Sequence, residues 1–315
     1  MPPKLSEKRQ SRLLPKLKLA LLLFVFAFYP GQNRYQLLSV TLSDSHVRGL
    51  SVDLGGNLIP YWNGMEPPVL TAQSAIVFDP DSGTLLYQKN IDSALPPAST
   101  TKIMTALIAL DAYPLDQVLT VRTAPQVAGN KIKLVSGEQM TVHNLLYGML
   151  VASANDAAVT LAENYPDGYD GFVAAMNRKA AQLNLNATHF SDVDGVGSAD
   201  HYSSVHDLVI LTKEAFKSDF FRQLVNTQTV LITDISGKNE YQLSSTNLLL
   251  GKVEGVSGVK TGWTEDAGEC LVTYVERNGH RLFLAVLGSA DRFGESEKLI
   301  NWSYSAHDWR QLPLD

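Results

Sequence analysis

The spacing of apolar residues changes character twice along this 315-residue chain, and the order of those changes constrains the fold more than any other feature. β-Rich runs come first, at Ser74–Phe78 and Leu85–Tyr87. They flank Asp79-Pro80-Asp81-Ser82-Gly83, which has the chemistry of a tight turn. After Pro96-Pro97 the spacing becomes helical, with Ile103, Ala106, Leu107 and Leu110 on one face. Residues 141–225 keep that helical character. Their stripes are Val142, Leu145, Leu146, Met149 and Leu150, then Ala158, Leu161 and Ala162, then Phe172, Ala175, Met176, Lys179, Ala180 and Leu183, then Val205, Leu208, Val209 and Thr212. Strand patterns return at Val256–Thr261, Leu271–Val275 and Leu282–Leu287. The last two are joined through Asn278-Gly279, whose residues tolerate the positive φ of a two-residue hairpin turn. A helical pattern over Glu295–Ser305 closes the chain. Strands at both ends with helices between them predict an α/β chain of the α+β kind. Early and late strands should share one antiparallel sheet with a helical lobe against it, and the cleft between them is a natural substrate site.

The amino terminus carries a different signal. Lys4, Lys8, Arg9, Arg12, Lys16 and Lys18 precede an unbroken apolar run from Leu19 to Tyr29. A basic segment before a short apolar one is the layout of a secretory signal, and the run is short for a spanning helix. Residues 1–30 are therefore expected to be a signal peptide or an N-terminal membrane anchor, with the body of the chain extracytoplasmic, in the periplasm or on the outer face of the cell membrane. Residues 31–70 lack a sustained period and read as a spacer with at most short pieces of structure. The globular domain is expected over 71–315. A net charge of -6, with no bank of Lys and Arg beyond the first 18 residues, argues against a nucleic-acid partner. The single cysteine, Cys270, excludes an intrachain disulfide and sits in a strand pattern, as a small buried thiol would.

Three short strings carry chemistry: Ser99-Thr100-Thr101-Lys102, Ser153-Ala154-Asn155 and Lys260-Thr261-Gly262. Each is weak alone, since Ser-x-x-Lys recurs at Ser257–Lys260 and Ser-x-Asn at Ser245–Asn247. Ser99 opens a helix, and Lys102 lies one turn on, so the two side chains share a face. A serine needs a base to become a nucleophile, and a lysine serves if its amine is kept neutral by burial or by a second cation. Read singly, Ser99 is a helix cap, Lys102 a surface cation, Asn155 or Asp156 an N-cap, and Lys260 a protective lysine on an edge strand. Gly262 would leave room for a ligand backbone beside that strand. The strings fall at a helix start, a helix turn and a strand, 54 and then 107 residues apart, so that all three can face one cleft.

These strings, together with Ala75–Gly83, Pro97–Leu107, His201–Ser204 and Val259–Thr264, resemble the serine-type D-alanyl-D-alanine carboxypeptidases, the low-molecular-mass penicillin-binding proteins. The resemblance runs from about Tyr61 to Trp302. It implies a β-lactamase/transpeptidase-like fold and release of terminal D-alanine from peptidoglycan stem peptides ending in D-Ala-D-Ala, with β-lactams as acylating inhibitors. On that basis Ser99 would form the acyl-ester and Lys102 would accept its proton. Ser153 would pass a proton to the leaving D-alanine, and Asn155 would hold the peptide bond. Lys260 and Thr261 would bind the terminal carboxylate, while the amides of Ser99 and Trp263 would form the oxyanion hole. Gly262 belongs to the same substrate wall, and Arg292 is a further carboxylate contact. No cofactor and no metal is expected.

Two departures from the resemblance stand out. Thirteen residues follow Trp302, so the β-rich second domain and carboxy-terminal amphipathic helix frequent in such enzymes are not expected, and any tether should be the amino-terminal run. Around Asp192-Val193-Asp194-Gly195 the family more usually has Asn and Pro, so this loop is expected to differ. A β-lactamase would add a Glu-x-x-Leu-Asn string. Glu240–Ser244 ends wrongly, and Glu297–Asn301 lies beyond Lys260. His201 and His206-Asp207 have spacing that could invite a metal, with no third partner near in sequence. Endopeptidase cleavage of cross-links uses the same residues, and a non-catalytic penicilloyl-binding module would also keep some of them.

Overall fold

The computed structural model describes residues 58–122, 129–197 and 200–311, which belong to a unit spanning Gly56–Asp315. The basic and apolar segment expected to be a signal or anchor lies outside the described residues. Three strands open the described residues: β1 (Ile59–Trp62), β2 (Ser74–Asp79) and β3 (Thr84–Lys89). A 3-10 turn over Ala98–Thr101 leads into α1 (Lys102–Ala112), followed by the short strands β4 (Val118–Thr120) and β5 (Gln139–Thr141). Next come α2 (Val142–Val151), α3 (Asn155–Glu163), α4 (Gly168–Gln182), α5 (Val205–Ala215) and α6 (Asp219–Val225). A hairpin of β6 (Thr229–Thr233) and β7 (Glu240–Ser244) precedes β8 (Val256–Thr264), β9 (Gly268–Arg277) and β10 (His280–Ser289). The described chain then closes with α7 (Arg292–Ala306) and β11 (His307–Arg310).

The central sheet is antiparallel, in the order β3-β2-β10-β9-β8, so early and late strands do share it. Both of its faces are covered. Ile76, Val272, Phe283, Ala285 and Leu287 point into the core shared with the helical lobe. Their neighbours Val77, Leu271, Leu282, Leu284 and Val286 pack with Leu299 and Ile300 of α7 on the other face. Two covered faces explain why these strands read as near-continuous apolar runs. The β9–β10 turn is the predicted one: Asn278 and Gly279 have φ of 52° and 79°, and His280 pairs with Arg277.

The stretch read as a spacer does contain one short piece of structure. Strand β1 pairs with β11 in a separate two-stranded ribbon. Trp302 Nε1 donates to the Met65 carbonyl at 2.9 Å, and the buried Glu295 carboxylate accepts from the amides of Thr71 and Ala72 and, at 2.5 Å, from Ser289 Oγ. The β1–β11 pair joins residues about 250 positions apart, a partnership that no local period reports.

Four helix starts follow ordinary capping chemistry. Thr141, Ser204, Ser218 and Asp291 each accept a backbone N–H three residues on. At the start of α3 the N-cap is Ala154, without a side-chain bond, which corrects the expectation that Asn155 or Asp156 caps this helix. No side chain caps α1 or its 3-10 turn either, so Ser99 is not a cap. The polar side chains at these starts are engaged elsewhere.

Candidate active site

Pro97 and Ala98, the latter held at φ 47°, turn the chain sharply into the 3-10 turn that carries Ser99. The spacing of three then brings Lys102 back over the serine. Its Nζ donates to Ser99 Oγ at 2.8 Å, to Asn155 Oδ1 at 2.6 Å and to the Asp194 carbonyl at 2.9 Å. Three donors with three acceptors satisfy a buried ammonium, and Lys102 is fully buried. It is therefore no surface cation. Burial pushes its pKa down to about 8, against the opposing pull of the Asp194, Asp192 and Asp156 carboxylates. At neutral pH about a tenth of the amine is then free of its proton.

The second string lies opposite. Ser153 adopts a left-handed φ of 57°, which turns its buried hydroxyl towards β8. Lys260 Nζ donates to Ser153 Oγ at 2.8 Å and to the Thr261 carbonyl at 2.9 Å. Lys260 is 1% exposed, which corrects its reading as a protective surface lysine. Burial holds it well below the usual lysine range, and the charges of Lys102 and Arg292 lower it further. Thr261 Oγ1 shares a 2.6 Å hydrogen bond with Thr246 Oγ1.

Strand β8 is an edge of the sheet, so the third string borders the cleft. The space beside Gly262 belongs to the protein itself, not to a ligand. A Cβ there would lie 3.0 Å from both Ala98 Cβ and Ser99 N and 3.1 Å from the Pro97 carbonyl. Glycine at 262 thus seats the Ser99 turn on β8. Trp263 is 63% exposed at the cleft. Arg292, at the first residue of α7, reaches the same wall and donates Nη1 to the Gly262 carbonyl at 2.7 Å. Ser99, Ser153, Asn155, Thr261, Gly262, Trp263 and Arg292 all line one cleft of about 690 Å³. A larger hollow of about 870 Å³ lies among Phe216, Tyr274, Arg281 and Trp309 and contains no residue of the three strings, so the chemistry points to the smaller one.

Several site residues were not singled out from sequence. Asp156, 1% exposed, accepts from the amides of Ile132 and Leu134 and so ties the 129–135 segment to the start of α3. Asn130 carries that tie onward, accepting from Asn155 N at 2.8 Å. Asp194 reaches the site by its carbonyl, which accepts from Lys102 and, at 3.3 Å, from Ser99 Oγ. The sequence signal there was the departure of Asp192-Val193-Asp194-Gly195 from the Asn and Pro more usual in the resembling family. His201, weighed above for a metal, instead supports the Ser99 turn. Its Nδ1 accepts from Ser191 N at 3.1 Å, so the ring proton is on Nε2, which donates to Thr101 Oγ1 at 2.7 Å. Thr101 in turn donates to the Ala98 carbonyl at 2.8 Å. His206 faces Asp92 at 3.0 Å. Among the described residues no group of three or more His, Cys, Asp or Glu is placed to hold a metal.

Comparison with known proteins agrees with this geometry. The family model for D-alanyl-D-alanine carboxypeptidase matches residues 62–291. The chain belongs to that family. A D-alanyl-D-alanine carboxypeptidase of Bacillus subtilis is 34% identical over 76% of this chain, and the match takes in 64% of that relative, just under two thirds of its length. A D-alanyl-D-alanine carboxypeptidase of Streptomyces sp. strain K15 is 32% identical over 76% of this chain and 89% of its own. The crystal structure of the Streptomyces K15 DD-transpeptidase superposes with a TM-score of 0.73 at 31% identity, covering 76% of this chain and all of that one. This D-alanyl-D-alanine carboxypeptidase family member is a serine peptidase with the mixed helix and antiparallel-sheet architecture of its solved relatives.

Proposed function

We propose that the chain removes the terminal D-alanine from peptidoglycan stem peptides through an acyl-ester on Ser99. The observation that carries this reading is the 2.8 Å contact between Ser99 Oγ and a fully buried Lys102 amine. When Lys102 is neutral its lone pair takes the serine proton as Oγ bonds to the penultimate D-alanine carbonyl carbon. The amides of Ser99 and Trp263 receive the oxyanion. Collapse of that intermediate breaks the C–N bond, and the leaving amine takes a proton through Ser153, which Lys260 contacts at 2.8 Å. Water then attacks the ester carbon and gives a proton to neutral Lys102, which passes it to Ser99 Oγ as the acyl C–Oγ bond breaks, so the shortened peptide leaves as a carboxylate and both side chains return to their starting states. Asn155 orients both Lys102 and the substrate amide. Lys260, Thr261 and Arg292 bring positive charge and hydrogen bonds to the terminal carboxylate. Gly262 acts by letting β8 touch the Ser99 turn.

β-Lactams, whose ring carbonyl replaces the scissile one, acylate the same serine. The domain over 71–315 works outside the cytoplasm, where this substrate is found, and the basic and apolar segment 1–30 exports or tethers it. Among the described residues no helix is long and apolar enough to cross a membrane. A relative from Pseudomonas aeruginosa, 32% identical over 74% of this chain, is a D-alanyl-D-alanine endopeptidase, so cleavage of cross-linked peptides at the same serine is the second reading.

The test is to incubate the protein with a fluorescent penicillin and, separately, with an uncross-linked peptide ending in D-Ala-D-Ala. Covalent labelling and D-alanine release, both lost in Ser99→Ala, are expected. Labelling that survives Ser99→Ala would sink the assignment of the nucleophile. Labelling without release from either uncross-linked or cross-linked peptides would reduce the protein to a penicilloyl-binding module.

A further inference from the structure

Behind Lys102 lies an acid pair, Asp192 and Asp194, that forms no ion pair with a lysine or arginine other than Lys102 among the described residues. Asp194 is 8% exposed. Its carbonyl accepts from Lys102 Nζ at 2.9 Å, and its carboxylate accepts from Val196 N at 3.2 Å. Asp192 sits beside it, with Oδ1 accepting from the amides of Asp194 at 2.9 Å and Gly195 at 2.6 Å. The other oxygen, Asp192 Oδ2, is buried without a hydrogen bond, 3.3 Å from His201 Nδ1. That nitrogen already accepts from Ser191 N, so a lone pair and not a proton faces the carboxylate. The neutral imidazole cannot discharge Asp192, and burial keeps His201 below its usual range.

The charge of both carboxylates favours the protonated form of Lys102. The other charge acting on that amine is Asp156 from α3; Lys260 from β8 is itself held low by burial and by the charges of Lys102 and Arg292. Tyr169 from α4 also feels the two acids and stays neutral, since burial pushes its hydroxyl up to about 12. Burial raises Asp194 to about 6, with Lys102 pulling it down and Asp192 pushing it up.

We propose that Asp194 is a positioning residue for Lys102: its carbonyl fixes the amine against Ser99, and its carboxylate, backed by Asp192, sets the pH above which that amine is free to take the serine's proton. The inference rests on the roles assigned to Ser99 and Lys102 above. Its sign is fixed by charge. A carboxylate favours the ammonium, so its removal frees the amine at lower pH. The effect exists only where Asp194 is ionised and Lys102 is not yet neutral.

The full chain and its Asp194→Asn and Asp192→Asn variants would be compared by kcat/KM for D-alanine release and by the rate of acylation by fluorescent penicillin, each from pH 5 to 9. Relative to its own alkaline plateau, Asp194→Asn is expected to be several-fold more active at pH 7, its acid limb displaced by about one pH unit, which is a tenfold change in the free amine. The profiles should converge again near pH 5, where Asp194 is protonated in the parent. Asp192→Asn should shift the limb the same way by less. Its amide keeps the acceptor for Asp194 N and Gly195 N and offers a donor to His201 Nδ1, so this variant tests the charge even if Asp194→Asn fails to fold. A purely structural role would lower the plateau and leave the limb in place. An unmoved limb, or one moved to higher pH, in the variants that fold would overturn the inference. Failure of the parent to release D-alanine or to label at Ser99 would instead overturn the proposed function, so the two are separable.

Discussion

Replacing Gly262 by alanine tests whether contact between β8 and the Ser99 turn matters for acylation. The added methyl would meet Ala98 Cβ and Ser99 N at 3.0 Å and the Pro97 carbonyl at 3.1 Å. None of these is the free end of a flexible side chain, and all three belong to the turn that aims the nucleophile. Comfortable carbon contacts begin near 3.5 Å, so strand and turn must separate by about half an ångström. Overpacking of this kind costs about 1–3 kcal/mol of stability. The kinetic cost should be of similar size. A misplacement of about 1 Å can cost about a hundredfold in rate, so half that distance should slow acylation by about tenfold or more. The measurement is the second-order rate of labelling by fluorescent penicillin, with the melting midpoint recorded alongside. A folded Gly262→Ala protein that acylates at the parent rate would refute the argument that this glycine seats Ser99 on β8.

Other consequences follow from the same geometry. Because Lys102 must lose its proton to act, and burial lowers it to about 8, kcat/KM should rise as pH climbs through that value and flatten above it. A profile already flat at pH 6 would exclude Lys102 as the base. Asp156→Ala would leave the amides of Ile132 and Leu134 without their acceptor, at about 1–3 kcal/mol for each one left buried, and should lower the melting midpoint by several degrees. An unchanged midpoint would show that the 129–135 segment is held by other contacts. Lys260 is held low by burial and by two neighbouring cations, so a ligand carboxylate should draw a proton onto it. Calorimetry of a D-Ala-D-Ala peptide binding to Ser99→Ala should then give heats that depend on the ionisation enthalpy of the buffer, and no such dependence would argue against a neutral resting Lys260. The Cys270 thiol is buried and pushed up to about 11, so alkylation of the native protein should be far slower than of the unfolded chain.

Local pattern accounts for most of the sheet and helices because one buried face imposes one period. Stripes such as Val142, Leu145, Leu146 and Met149 became α2 with every one of those residues buried. The ribbon of β1 and β11 escaped notice because each strand is four residues long and its partner lies at the far end of the chain. The β6–β7 hairpin was equally short, with outward residues such as Leu231 blurring its alternation.

At the candidate site the sequence alone determined which residue types stand at which spacing. Ser99 and Lys102, one turn apart, and the Ser153 and Lys260 strings were legible as a set, and the resemblance supplied their roles. Each string by itself still allowed a cap, a surface cation or an edge lysine. Only the tertiary structure decided among these, because burial is a property of the assembled layers and not of any local run. It placed Lys102 and Lys260 in the interior, where burial favours an amine without its proton, and it filled the space beside Gly262 with the Ser99 turn. It also brought in the Asp156 carboxylate, which accepts from Leu134 N 22 residues away, and the Asp194 carbonyl, which accepts from Ser99 Oγ 95 residues away, contacts that leave no trace in a period of two or 3.6.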